Sequence, residues 1–262
     1  MPDRPIRRVA SLVPSWTETL LEAGAPVVAR TRFCLHPAER VAALPVLGGT
    51  KQADLERLPE LGAELLVLDR EENPRAFAEE SPVPVVATHV RDVADLPGEL
   101  RRLRQATGAA ALDDMAQRWE AVVTAPPAPL PEAPDRLPGL VEWVTPPARP
   151  LADHAHVHYL IWRGPWMRIA PGTFIASMLE RVGLGDRLAP AATPYPELAA
   201  DELAAPDTLL LAATEPFPFH RPRWRAELAS LGVPVALVDG ERYGWFGLRA
   251  LRFLEDALAV AP

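Results

Sequence analysis

The residues able to do chemistry in this 262-residue chain gather in the turns that follow apolar, strand-like runs. Pro14-Ser15-Trp16, Arg32-Phe33-Cys34, Glu71-Glu72-Asn73, Trp162-Arg163-Gly164-Pro165-Trp166, Glu215-Pro216-Phe217 and Asp239-Gly240 each stand at such a place. Trp16, Trp162, Trp166 and Trp245 fall at or near these turns, with Phe33, Phe217, Phe219 and Phe246. Rings placed there offer flat apolar faces to a large planar ligand, and nearby polar groups orient it. Ordinary packing is the competing reading for any one ring; for the group together a binding site is preferred. Enzymatic chemistry is less well supported. Carboxylates at strand ends could serve acid–base work, but the chain carries no GxSxG elbow, P-loop, GxGxxG turn or HExxH helix. Neither Glu72 nor Glu215 stands beside an evident nucleophile.

Histidine needs separate weighing. His154, His156 and His158 alternate, so in a strand they share one face, a geometry open to zinc or nickel. With no fourth ligand evident, a solvent-facing strand edge explains them as well; adventitious binding is preferred to a functional site, and no resident metal is expected. Cys34 and His36 follow a strand two residues apart. The single cysteine excludes an internal disulfide.

The elements that must position these residues occur twice. Leu65-Leu66-Val67-Leu68 runs into Glu71-Glu72-Asn73-Pro74, a helical stretch and Val83-Pro84-Val85-Val86. Thr208-Leu209-Leu210-Leu211 runs into Glu215-Pro216-Phe217, a helical stretch and Val233-Pro234-Val235-Ala236. The openings correspond too, a strand at 9–13 with a helix ending at Gly24 against a strand at 159–162 with a helix ending at Gly183. Continuous apolar strands alternating with helices imply an α/β fold with mainly parallel sheets, in two similar lobes with a ligand cleft between them. Ser15 and Glu18 have capping-box spacing at the first helix. Leu112, Met115, Trp119 and Val122 mark a helix over 109–123, between the two copies. Helices are also expected at 95–107, 174–182, 196–204, 223–231 and 248–258. The division expected is a first lobe at 1–108, a linking helix at 109–124, a proline-rich connection at 125–152 and a second lobe at 153–262.

Bulk properties narrow the partners. A net charge of −8 argues against nucleic acid, whose phosphates need a basic footprint. No apolar run has membrane-spanning length. Residues 1–8 hold no segment of signal-peptide type, so a cytoplasmic location is expected as the sequence stands, or a periplasmic one if a leader has been lost.

Several blocks, in order, resemble one family. They are Ser11-Leu12-Val13-Pro14-Ser15-Trp16-Thr17-Glu18, Arg30-Thr31-Arg32-Phe33-Cys34-Leu35-His36-Pro37, Gly48-Gly49-Thr50-Lys51, Glu71-Glu72-Asn73, Tyr159 through Trp166, Gly172-Thr173-Phe174-Ile175, Thr214 through Phe219, and Asp239-Gly240 with Trp245-Phe246-Gly247. The chain is similar to cobalamin-binding-like substrate-binding proteins of the helical-backbone metal receptor superfamily. The resemblance covers nearly all of it except about 125–150. It implies two lobes joined by one long backbone helix, and a non-catalytic role binding cobalamin or a related metal chelate for an ABC importer. The contacts it implies are Ser15, Trp16, Arg32, Phe33, Cys34, His36, Thr50, Lys51, Glu72 and Asn73 in the first lobe. In the second they are Trp162, Arg163, Trp166, Thr173, Phe174, Glu215, Phe217, Trp245 and Phe246. Arg32, Lys51 and Arg163 would orient the ligand. His36 either ligates the chelated metal or only shapes its loop beside Pro37. Docking on a permease would use Glu71 or Glu72 and Glu215. The want of a leader and of an anchoring cysteine near the start leaves a second reading, a cytoplasmic corrinoid-handling or modifying enzyme.

Overall fold

The computed structural model describes residues 7–259, which fall into two units. Residues 1–6, on which part of the reading of a missing leader rests, lie outside the described residues.

The first unit comprises Met1–Thr124 with Phe246–Leu251. Its elements run β1 (Val9–Ser11), α1 (Pro14–Glu22), β2 (Val27–Ala29), α2 (Ala38–Ala42), β3 (Leu65–Asp69), α3 (Ala76–Glu80), β4 (Val85–Thr88), α4 (Leu96–Thr107) and α5 (Ala111–Thr124). The strands form one parallel sheet in the order β2-β1-β3-β4, with Val9 opposite Leu65 and Leu66 opposite Val85. Every residue of β3 is buried, as a continuous apolar run in a parallel sheet requires. The capping box expected at Ser15 is not formed. Pro14 fixes a helical φ and takes the first helical position, so Ser15 lies inside α1 and Val13 precedes it without a side-chain cap. Glu18 is thereby free to pair elsewhere. The helix expected over 109–123 is α5, which buries Leu112, Met115, Trp119 and Val122. Arg104–Asp113 (3.2 Å) and Arg101–Glu120 (2.8 Å) ion pairs tie it to α4.

The second unit comprises Ala125–Trp245 with Arg252–Pro262. It contains β5 (Leu140–Thr145), β6 (His156–Trp162), β7 (Met167–Arg168), α6 (Phe174–Arg181), α7 (Ala200–Leu203), β8 (Thr208–Ala213), α8 (Pro222–Ala229), β9 (Val235–Val238), α9 (Gly240–Gly244) and α10 (Leu248–Leu258), of which the first turn belongs to the first unit. Its sheet has the order β5-β9-β8-β6-β7; β6, β8 and β9 are parallel, and β5 and β7 antiparallel edge strands. Setting β9-β8-β6-β7 beside β4-β3-β1-β2 shows the duplication as topology, since both the strand order and the central parallel pairings repeat.

Two elements differ from expectation. Part of the proline-rich stretch is strand: β5 hydrogen-bonds along one side of β9 only, so the prolines flanking it leave the ladder intact. The helix expected over 196–204 shrinks to α7, because Arg168 N–H bonds Pro196 O (3.1 Å) and Glu197 bridges Met167, holding this stretch extended.

The returning chain is fastened to α1 within the first unit. Phe246 packs edge-on against Trp16 at 5.0 Å, Trp119 donates its indole N–H to Gly247 O (3.2 Å), and Leu248 N–H bonds Thr19 Oγ1 (3.0 Å). Glu18 receives both arms of the Arg249 guanidinium at 2.9 and 2.7 Å.

Candidate functional site

In a parallel sheet the carboxyl ends of the strands share one edge, where the loops gather into a rim. In the first unit that rim is built on a buried polar frame. Asp69, fully buried, accepts bonds from the Thr88 hydroxyl (2.6 Å), Glu71 N–H (2.9 Å) and Val90 N–H (3.3 Å). Thr88 in turn accepts the indole N–H of Trp16 at 2.8 Å. Burial raises the Asp69 carboxyl above the usual range, against the pull of these donors.

Asn73 completes the frame. The β1–β3 ladder ends where Leu12 N–H bonds Val67 O (3.1 Å). The next regular rung would run from Asp69 N–H to Leu12 O. The Asn73 amide is inserted there instead: its Oδ1 accepts from Asp69 N–H (2.9 Å) and its Nδ2 donates to Leu12 O (3.2 Å). A side-chain amide thus acts as a surrogate peptide across parting strands. Its second N–H bonds Thr50 O (2.9 Å), which fixes the Gly48-Gly49-Thr50-Lys51 loop to the same point.

Above this frame the exposed groups are few. Phe33 is 46% exposed, and the Arg32 guanidinium lies 4.9 Å from its ring centre. Gly49 packs against both, a Cβ there coming within 3.2 Å of each side chain. Lys51 donates to Glu71 O (3.1 Å), and the Glu71 carboxylate meets His89 at 3.3 Å. Glu72 is half-buried; burial, then the nearby Asp69 carboxylate, raises its carboxyl, with Lys51 opposing. His36 is partly exposed on the loop after Cys34, whereas Cys34 is buried with its Sγ 3.1 Å from Thr17 and 3.2 Å from Thr31. Ser15, Trp16, Cys34, Asn73 and Phe246 are therefore interior, while Arg32, Phe33 and Lys51 reach solvent.

The corresponding rim of the second unit is aromatic. Trp162, 44% exposed, meets Phe217 edge-on at 5.3 Å; Phe217 meets Phe219 at 4.8 Å and Trp224 at 5.0 Å; and Trp166 stacks on Phe219 at 5.9 Å. Arg163 lies over Trp166 at 4.6 Å and is held by Glu227 at 2.6 Å. Glu215 stands in the turn after β8, where Gly240 leaves no room for a Cβ against its backbone. Thr173 caps α6, accepting from Ala176 N–H (3.2 Å), and Phe174 is buried behind it. Trp245 is half-buried at the end of α9. Trp162, Arg163, Trp166 and Phe217 thus form one cluster.

Sequence reasoning missed Asp69, Thr88, His89 and Trp224. Asp69 had a signal, a carboxylate closing an otherwise apolar buried strand. The three alternating histidines are not a solvent-facing edge: His154 and His158 are buried and only His156 is exposed. Burial, then the neighbouring Arg168, lowers His158 to about 4. Among the described residues no group of three or more His, Cys, Asp or Glu could hold a metal ion, and no helix is long and apolar enough to cross a membrane.

No protein-family model matches the chain, and no curated protein sequence does. Solved structures do. The periplasmic heme binding protein of Vibrio cholerae superposes with a TM-score of 0.68 at 15% identity, covering 97% of this chain and 98% of that one. The periplasmic vitamin B12 binding protein of the same organism gives 0.64 at 15%, over 97% and 96%. A periplasmic heme-binding protein of Roseiflexus gives 0.64 at 20%, over 97% of both chains. The chain accordingly has the two-unit α/β fold of these solved periplasmic B12- and heme-binding proteins.

Proposed function

We propose that this chain is a non-catalytic binding protein for a planar metal chelate, a corrinoid or a porphyrin-like ring. The observation that carries this reading is the pairing of rings with cations on strand-end rims: exposed Phe33 with Arg32 in the first unit, and half-buried Trp166 with Arg163, beside exposed Trp162, in the second. Apolar faces supply contact area, and guanidinium groups orient a ligand bearing polar edge substituents. Lys51 adds a further cation, and His36, partly exposed on the loop after Cys34, is the candidate metal ligand of the first rim. The solved proteins of this fold include ones named for B12 and for heme, which supports the ligand class without choosing within it. An ABC importer is the expected partner, with Glu71 or Glu72 and Glu215 as candidate docking contacts.

Thermal unfolding with cobalamin, cobinamide and hemin tests the reading. A ligand at a hundred times its Kd stabilises by about 2.7 kcal/mol, or about 5–10 °C in a chain of this size. Phe33→Ala and Trp162→Ala, both at exposed positions, should lower chelate affinity at least about tenfold while leaving the unliganded Tm nearly unchanged. No shift with any of the three chelates would remove the proposal.

A further inference from the structure

Behind the acidic turn of the first unit, where α3 lies over β3 and β4, there is a cavity of about 520 Å³. That is within the range of small-molecule sites. Leu68, Ala87, Pro74 and Ala78 line it, with the aliphatic stems of Arg70 and Arg75 completing the wall.

The two other lining residues offer a ligand nothing. Asp69 has both oxygens engaged by Glu71, Thr88 and Val90, and Asn73 has its amide engaged by Asp69, Leu12 and Thr50. What remains is apolar contact and cationic charge. Arg75 is paired with Glu79 at 2.7 Å, on an exposed helix flank. The exposed Arg70 guanidinium has no hydrogen bond, ion pair or ring contact among the described residues. A free guanidinium beside an apolar hollow, in a chain of net charge −8, matches a ligand with one anionic end and one apolar end.

We propose that this cavity is a second binding site, for a medium-chain alkanoate: its hydrocarbon chain lies against Leu68, Pro74, Ala78 and Ala87, and its carboxylate meets Arg70. The site is independent of the chelate reading and needs none of the residues assigned to it except Asn73, whose amide holds the wall.

Isothermal titration of the whole chain with octanoate tests this. Saturable one-to-one binding is expected, weakened about tenfold by Arg70→Gln and about tenfold for octan-1-ol, the loss a charge-assisted bond predicts. Ala78→Trp, at an exposed position, fills the hollow without disturbing buried packing and should abolish binding. Absence of saturable heat overturns the proposal, as does binding insensitive to Arg70→Gln or Ala78→Trp. Displacement of octanoate by cobalamin or hemin overturns it as well, since the hollow would then belong to the chelate site. Failure of every chelate to bind leaves the octanoate result standing, so the two proposals fail separately.

Discussion

Replacing Asn73 by alanine should destabilise the first unit by about 2–4 kcal/mol. The magnitude follows from what truncation strands. Three hydrogen bonds vanish at once, to Asp69 N–H, Leu12 O and Thr50 O, at a residue 6% exposed. Each such bond is worth about 1 kcal/mol net, but a buried N–H left without a partner costs about 1–3 kcal/mol. The Asp69 amide is the group at risk, because β1 and β3 have already parted at that level and Leu12 O cannot reach it directly. Asn73→Asp separates this account from simple packing loss. Its shape is nearly identical, yet an oxygen replaces the donor that faces two carbonyls, so at neutral pH it should be at least as harmful as alanine. Acid should then relieve it, since a protonated carboxyl can donate again. Urea denaturation gives the stability change, and hydrogen exchange at the Asp69 amide locates it. A cost below about 0.5 kcal/mol for Asn73→Ala, with that amide's protection intact, would refute the surrogate-rung reasoning.

Three further perturbations have expected outcomes. His158 titrates near 4 when folded against an ordinary 6.5, so the unfolded chain takes up its proton first. Stability should fall by about 3 kcal/mol as pH drops from 6.5 to 4; with Arg168, Glu202 and His156 as the charges around it, His158→Gln should flatten that part of the pH profile. Arg249→Ala leaves Glu18, 8% exposed, as an unpaired buried carboxylate and should cost about 2–4 kcal/mol by calorimetry, much of it recovered in Glu18→Leu/Arg249→Met. Gly247 has φ +92° and lies against Thr19 and Trp16, so Gly247→Ala should lower Tm by several degrees, and an unchanged Tm would show that this segment is not seated on α1 as described.

What the sequence disclosed and what it hid divide along a physical line. Runs such as Leu65–Leu68 and Leu209–Leu211 announce buried strands because apolarity on both faces has no other stable home, and α5 announces itself through its spaced Leu112, Met115, Trp119 and Val122. Both signals are local. Ser15 misled because capping-box spacing does not say which residue takes the first helical position, and Pro14 takes it. His154, His156 and His158 misled because alternation gives a common face but not whether that face is covered; His154 and His158 are buried, with the Arg168 charge of β7 near His158. The Asn73 amide bonds Leu12, 61 residues away, a partner that its local sequence does not disclose. Among the rim residues the sequence marked Arg32, Phe33, Arg163 and Trp166 singly; that Arg32 lies by Phe33 and Arg163 over Trp166 is visible only in the structure.

The two copies also differ at the sheet edge that borders the hollow. Register aligns Leu66 and Val85 of the first with Leu210 and Val235 of the second, so Leu68 and Ala87 correspond to Ala212 and Leu237. In the second unit β5 pairs along the outer side of β9, and Arg225 of α8 reaches Glu142 of β5 at 2.9 Å, drawing the helix over that edge. Val235 and Leu237 are accordingly buried, at 0% and 1% exposure. Among the described residues the first unit has no strand beyond β4, and α3 is a five-residue helix, so Val85 and Ala87 stay half-exposed. A small residue at 87 and an uncovered edge together leave space that Leu237 and β5 fill in the other copy. Divergence at one sheet edge thus converts a packed core position into a cavity, and the difference predicts that Ala87→Leu would rebuild the core and extinguish octanoate binding in one step.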